Sequence, residues 1–307
     1  RLDHWDYDLQ GRTVSRLRPA ARREVLERAR AFLDAAGLPT TGTGDPASPL
    51  VVTGHQPELF HPGVWVKNFA AAEVARRAGG RVLNLIVDND IPKGSLIKVP
   101  RRDNGGLRVE RVPFDGWAGD VPYEDLDVRD EPLFETFADR VRDATGGTLV
   151  DPVLDEFWPR VLGFRPHTRR VGLRFALARR SLEAAWGVRN DEVPLGAVCE
   201  TDSFLWFASH LLAQLPRFVQ IYNEALDRYR TLYHIRSRHH PVPALVRQGD
   251  WLEAPFWVWR SAEPRRRPLL ARQLPRTMQL RFAGEDTPFA EIPLAPDREA
   301  CCAVEAL

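Results

Sequence analysis

The chain has 307 residues, 44% of them hydrophobic and 28% charged, with a formal net charge of +1. That composition supports a sizeable core and excludes a disordered chain. The even charge balance excludes a protein built mainly to neutralise nucleic-acid phosphates.

Taken in chain order, residues 17–36 read as a helix, with Leu17, Val25, Leu26, Ala29, Phe32 and Leu33 on one stripe and Gly37 ending it. Residues 40–49 have linker composition. Leu50-Val51-Val52 is short, apolar and β-branched, as a buried parallel strand should be. A helix over 64–78 and a second strand over 82–87 follow, so residues 50–94 form a strand–loop–helix–strand unit. Ser95–Val99 and Leu107–Val112 alternate around Asp103-Asn104-Gly105-Gly106, a hairpin signal. Helices are expected over 131–145, 151–162 and 167–187, and over 203–234 either as a helical hairpin or as one helix broken at Pro216. Short strands follow at Phe256–Arg260, Leu269–Arg272, Thr277–Phe282 and Phe289–Leu294.

Pro296-Asp297 starts a helix that is unfinished at Leu307, and there is no initiator Met, so the chain reads as a fragment of a longer protein. The expected organisation is an N-terminal helical segment and linker (1–49), a core with helical insertions over about 131–240 (50–296), and the start of a C-terminal helix (297–307). The expected fold class is α/β: a Rossmann-like, doubly wound parallel sheet with helical insertions and a small β-rich region. No apolar run approaches the roughly 18 residues of a membrane span. The first residues lack a signal-peptide core, and three cysteines without framework spacing point to reduced thiols. The expectation is a cytoplasmic protein with a small-molecule substrate, no nucleic-acid or membrane partner, and oligomer formation left open.

In open parallel sheets, ligands bind beyond the carboxyl ends of the strands. Thr53-Gly54-His55-Gln56-Pro57 occupies such a place, with His61 further along the loop. Glycine permits close backbone approach, the imidazoles stabilise negative charge, and the helix that follows attracts anions. This composition suits a nucleotide phosphate; the plainer reading is a polar loop whose histidines cap the helix. Asp88-Asn89-Asp90 closes the next strand, with Lys93 three residues on. Two carboxylates spaced by one residue can hold Mg²⁺ or a substrate ammonium, though the same residues also serve ordinary turns. Of the 43 basic residues only Lys67, Lys93 and Lys98 are lysines. Trp65, Lys67 and Asn68 open the helix, Lys67 within reach of a phosphate and Trp65 equally suited to packing. Arg236–Pro241 reads as a solvated basic turn, Phe256–Arg260 as a strand with one face in the core, and Cys301-Cys302 as buried on the last helix.

The run Val51–Phe60 resembles the cysteine-adding enzymes of bacillithiol biosynthesis, which carry a similar strand, a T-G-Q-Q-x-x-L-F loop and an acidic run closing the next strand. Here His55 stands at the third loop position and Asp88-Asn89-Asp90 matches the acidic run; the likeness covers about 45 of 307 residues. It implies a nucleotidyltransferase-like core of the HUP superfamily, in which a loop cradles ATP or another nucleotide. It also implies ligase-like joining of cysteine, or another amine or thiol, to a sugar-containing acceptor. On that reading His55, Gln56, Asp88 and Asp90 are catalytic, and Thr53, Gly54, His61 and Lys67 bind the nucleotide. Asn89, Lys93, Trp65 and Asn68 meet the substrate, and Asp88 and Asp90 carry Mg²⁺. The chain departs from the family in lacking a K-M-S-K-S-like second signature, a Gly-rich C-terminal portion and sustained heptads. His55-Gln56-Pro57 with Gly63 is similar, more weakly, to the WbqC-like family at the same loop. Two further classes stay open: a Mg²⁺-dependent nucleotide-sugar glycosyltransferase using Asp88-Asn89-Asp90, and a non-catalytic nucleotide or metabolite sensor.

Overall fold

A computed structural model describes residues 5–41, 48–59, 61–103, 106–146 and 149–293. The turn at Asn104-Gly105, most of the 40–49 linker and the helix expected beyond Pro296, with Cys301 and Cys302, lie outside them.

The chain opens with a small antiparallel pair, β1 (Asp8–Leu9) and β2 (Arg12–Thr13), followed by helix α1 (Val14–Ala35). Ala29 and Leu33 bury the expected stripe, and Gly37 ends the helix at φ +65°. Its neighbour Leu38 donates back to the Leu33 carbonyl at 2.9 Å, which also accepts the Ala36 amide at 3.1 Å and closes the last turn. Next come β3 (Leu50–His55), α2 (Pro62–Arg77) and β4 (Arg81–Ile86). β3 and β4 pair in parallel from Leu50↔Arg81 to His55↔Ile86, as the strand–loop–helix–strand reading requires. An antiparallel hairpin follows, β5 (Leu96–Asp103) with β6 (Gly106–Pro113).

The helix expected over 131–145 is two helices, α3 (Glu131–Glu135) and α4 (Phe137–Thr145). They part at Thr136, whose hydroxyl bonds the Pro132 carbonyl at 3.0 Å, the local competition that makes Thr a poor interior helix residue. α5 (Leu154–Gly163) and α6 (Val171–Ala185) complete the insertion.

No apolar pattern predicts a strand between 187 and 203. The structure has one, β7 (Asp191–Pro194), parallel to β4 and fully buried, followed by the short α7 (Leu195–Cys199). Two adjacent acids disguise it, because strand patterns are read from apolar residues. The parallel sheet therefore runs β3-β4-β7. Val51 and Val82 bury against Ala71 and Ala75 of α2 on one face. On the other, Leu83 and Val193 meet Ala29 of α1. A separate aromatic core, with Phe134, Phe137, Trp158 and Phe175, fills the space under the hairpin and α3–α6. There the Trp158 ring lies 4.5 Å from Phe137 and 4.7 Å from Phe134, a spacing that adds to simple burial.

After α7 come α8 (Asp202–Ala213) and α9 (Leu215–Leu232), parted at Gln214, with Pro216 in the first turn of α9, where its missing amide costs no helix bond. Strands β8 (Arg247–Gln248), β9 (Trp251–Arg260), β10 (Glu263–Gln273), β11 (Thr277–Phe282) and β12 (Ala290–Pro293) then form an antiparallel sheet of their own, ordered β12-β11-β10-β9-β8. Of the expected Rossmann-like sheet, the described residues thus contain a three-stranded parallel part, and the C-terminal strands do not join it.

By contact the chain divides into two units, Arg1–Ala21 with Glu200–Leu307, and Arg22–Cys199. In the first, Leu252, Leu269, Met278 and Leu280 of the antiparallel sheet pack on Leu212, Leu215 and Val219 of α8 and α9. In the same unit Arg12 lies 3.8 Å over the Trp206 ring, and the Trp206 indole donates to the Leu9 carbonyl at 2.6 Å. Among the described residues no helix is long and apolar enough to cross a membrane.

Candidate functional site

Parallel pairing brings the carboxyl ends of β3 and β4 side by side. Gly54 allows it to be tight: a Cβ there would lie 2.8 Å from the Leu85 carbonyl oxygen. Beyond β3 the chain turns at once. The His55 Nδ1 lies 3.1 Å from the Gln56 carbonyl and 4.0 Å from the Glu58 carboxylate. Gln56 donates its side-chain amide to Asp90 Oδ2 at 2.8 Å, so the loop after β3 is tied to the loop after β4. The other Asp90 oxygen accepts the Ile91 amide at 2.9 Å.

A third segment runs beside these loops, because the amides of Tyr123 and Glu124 donate to the Asp90 and Asp88 carbonyls at 3.0 and 2.9 Å. The buried Tyr123 ring packs with Pro57 against Gly172 of α6, where a Cβ would stand 2.7 Å from Pro57 Cγ and 3.0 Å from Tyr123 Cδ1. Burial raises the Tyr123 hydroxyl well above its ordinary value, and the negative charges of Glu58 and Asp90 raise it further. Glu58 and Asp90 therefore both bear on the neutral Tyr123 hydroxyl and form one acidic patch beside it.

Asp88 is buried and has a different partner from Asp90, its Oδ1 accepting the Gly196 amide at 3.0 Å. Burial raises its carboxyl, against the lowering pull of the backbone amides of Gly196, Asp88 and Leu195. The Glu124 carboxylate reaches the same glycine, since a Cβ on Gly196 would lie 2.7 Å from Glu124 Oε2 and 3.6 Å from Asp88 Oδ2. Asn89 is half-buried between the two aspartates, and Lys93 is exposed. Among the described residues no group of three or more His, Cys, Asp or Glu side chains is arranged to hold a metal.

The first turn of α2 does not fit a phosphate. Pro62 has no amide hydrogen, and Gly63 donates to the Nδ1 of the capping His61 at 3.1 Å. Val64 and Trp65 donate to the His61 carbonyl at 2.8 and 3.1 Å, so the donors that usually receive an anion are engaged. Lys67 lies exposed, its ammonium 3.4 Å from the Gly54 carbonyl.

Trp65 and Asn68 turn inward instead. The Trp65 indole and the Asn68 amide donate to Glu183 Oε1 at 2.6 and 2.8 Å. Glu183 belongs to a buried charge network. Arg179 of α6 reaches Glu183 at 3.0 Å and holds Glu192 of β7 through both terminal nitrogens at 2.8 and 2.7 Å, while Asn84 donates to Glu192 at 3.0 Å. Burial raises the Glu192 carboxyl; burial also works against the Arg179 charge, but Glu192 and Glu183 together hold it up. Thr53 sits in β3 opposite Asn84, on the strand face that carries His55. Here His55, Trp65, Asn68, Asn84 and Arg179 enclose a cavity of about 10 Å³, the size of one water molecule.

Trp65 and Arg179 also border a far larger cavity, about 570 Å³, that opens into the aromatic core. Glu58, Leu59 and Pro62 form its edge on the loop side, and residues of α4, α5 and α6 form its apolar walls. Pockets of this size take small-molecule ligands.

The other polar runs serve the fold. Asn223 holds both the amide and the carbonyl of Leu245 at 3.0 Å, and Arg230 ties down the exposed 236–240 turn through the carbonyls of Arg238 and His240. Phe256 packs into the antiparallel-sheet core, while Trp257 is exposed with Arg266 4.6 Å over its ring. Glu58, Tyr123, Arg179, Glu183 and Glu192 were not singled out from the sequence. Arg179 and Glu183 stand four apart on α6, the spacing of an ordinary surface pair, while Glu58, Tyr123 and Glu192 come from separate elements and carry no local mark. Comparison with known protein-family models and with curated proteins yields no match for this chain.

Proposed function

We propose that the chain is a transferase that handles a primary amine at the carboxyl ends of β3 and β4. Glu58 and Asp90 face the ammonium, and His55 is the base that takes its proton. The observation that carries this reading is the Gln56–Asp90 hydrogen bond at 2.8 Å, which brings Asp90 to the loop where Glu58 and His55 stand 4.0 Å apart. A cation in that patch gains from both carboxylates, whereas a nucleotide phosphate meets negative potential and an α2 terminus whose amides are engaged. Once deprotonated, the amine is a nucleophile toward an activated carbon of the second substrate, and the imidazolium returns the proton to the leaving group.

The likeness of Thr53-Gly54-His55-Gln56 to amine- and thiol-joining enzymes agrees with this class of reaction, and the β3-β4-β7 order is compatible with the core of a nucleotidyltransferase-like Rossmann fold. The reading uses no metal, because Asp88 and Asp90 turn to different partners.

Calorimetric titration tests it. n-Butylamine at pH 8 should bind saturably, and Glu58→Gln should weaken that binding at least tenfold with little change in melting temperature. ATP, with or without Mg²⁺, should give no saturable heat. Saturable ATP binding that His55→Ala removes would overturn the proposal in favour of a nucleotide on the same loop.

A further inference from the structure

The 570 Å³ cavity beside Glu58 is far larger than a small amine needs. Its walls are apolar, and the side chains that form them include Ile97, Phe137, Val141, Leu154, Phe157 and Phe175. Phe137, Val141 and Phe175 belong to the aromatic core, and Ile97, Leu154 and Phe157 pack on it, so the cavity opens from that core.

The charged groups around it differ in availability. Arg142 is held by Asp139 at 2.7 Å and by Asp155 at 2.9 Å, and Arg179 is held by Glu183 and Glu192. Asp151 and Asp155 are exposed. Glu58 is only partly exposed, its carboxylate lies 4.0 Å from His55, and it adds to the negative field at Tyr123. One end of an apolar cavity therefore presents a carboxylate beside the proposed base, and the arginines along its wall are already matched by acids. An anionic or doubly polar ligand would forfeit hydrogen bonds on most of this surface.

We propose that the ligand is an amphiphilic primary amine, an alkyl- or arylalkylamine whose apolar body fills the cavity between α4, α5 and α6 while its ammonium meets Glu58. This rests on the amine reading of the site and adds the substrate class. The apolar body supplies most of the affinity and sets specificity by length, and the carboxylate sets the sign of the head group.

The test is a titration of the wild-type chain with n-alkylamines from ethyl to octyl, and with the matching n-alcohols, repeated with Val153→Trp and Glu58→Gln. Val153 is an exposed lining residue, so an indole there shortens the cavity with little risk to folding, and a cooperative melt verifies that. Amine affinity should rise roughly fourfold per methylene. The rise should stop several carbons earlier in Val153→Trp, and Glu58→Gln should erase the preference for amines over alcohols. Amines that bind with no gain from chain length would overturn the substrate class and leave the amine site standing. Alcohols binding as tightly as amines, with the same length dependence and no effect of Glu58→Gln, would overturn both it and the amine reading, leaving an apolar binding cavity.

Discussion

Asp88 shows what one position in this site does to stability. Its side chain is buried, and its Oδ1 accepts the Gly196 amide. Burial raises the folded carboxyl above its unfolded value of about 3.9. The folded state therefore favours the protonated acid. That stabilisation is complete below about pH 3.9 and is lost as pH rises through the elevated folded value. Asp88→Asn keeps an oxygen for the Gly196 amide and removes the titration. It should melt above the wild type at pH 8, the two curves converging toward pH 4 in calorimetric scans. A mutant that melts lower at pH 8 would show that the ionised carboxylate is needed there. Asp88 and Asp90 were legible as a pair at a strand end, but their divergence was not, because it depends on Gly196 and Gln56, which lie 108 and 34 residues away in sequence.

At the scale of elements, the junction of α6 with β7 carries the largest electrostatic risk. Arg179 is fully enclosed with two glutamates, one on its own helix and one on a strand 13 residues away. Arg179→Met would leave Glu183 and Glu192 buried without their cation, at a cost of about 3–5 kcal/mol. Urea denaturation should show that loss, and adding Glu192→Gln should recover part of it. A mutant within 1 kcal/mol (on the order of measurement error and surface effects) would mean that water or neighbouring groups solvate the acids. β3, α2, β4 and the β5–β6 hairpin were legible from their apolar runs and turn residues, although Val52, Val66, Leu107 and Val109 stay exposed. β7 was not, because Asp191 and Glu192 are tolerated inside through partners distant in sequence, Arg81 and Thr41 for the first and Arg179 and Asn84 for the second. The break between α3 and α4 was hidden for a similar reason, since it depends on the Thr136 hydroxyl and not on any proline or glycine.

At the scale of the molecule, residues 22–199 contain the parallel sheet, both layers packed on it and the aromatic core. A chain of residues 14–199, which keeps α1 whole, should fold by itself, with cooperative thermal unfolding and a near-ultraviolet circular dichroism signal from the packed Trp158. A broad, uncooperative melt would show that this unit needs the rest of the chain. The amino-acid sequence by itself determined the local periodicities that mark most of the helices and strands, and that the polar residues after β3 and β4 end up together. Parallel pairing of two adjacent strands follows from hydrophobic pattern and connection length, which are local quantities. The tertiary structure decided the rest. It drew Glu58 and Asp90 into one acidic patch beside Tyr123, engaged the α2 amides, buried Asp191 and Glu192 as a strand, and opened a cavity beside the loop. Those outcomes depend on charge compensation and packing between residues far apart in the chain, which no local pattern records.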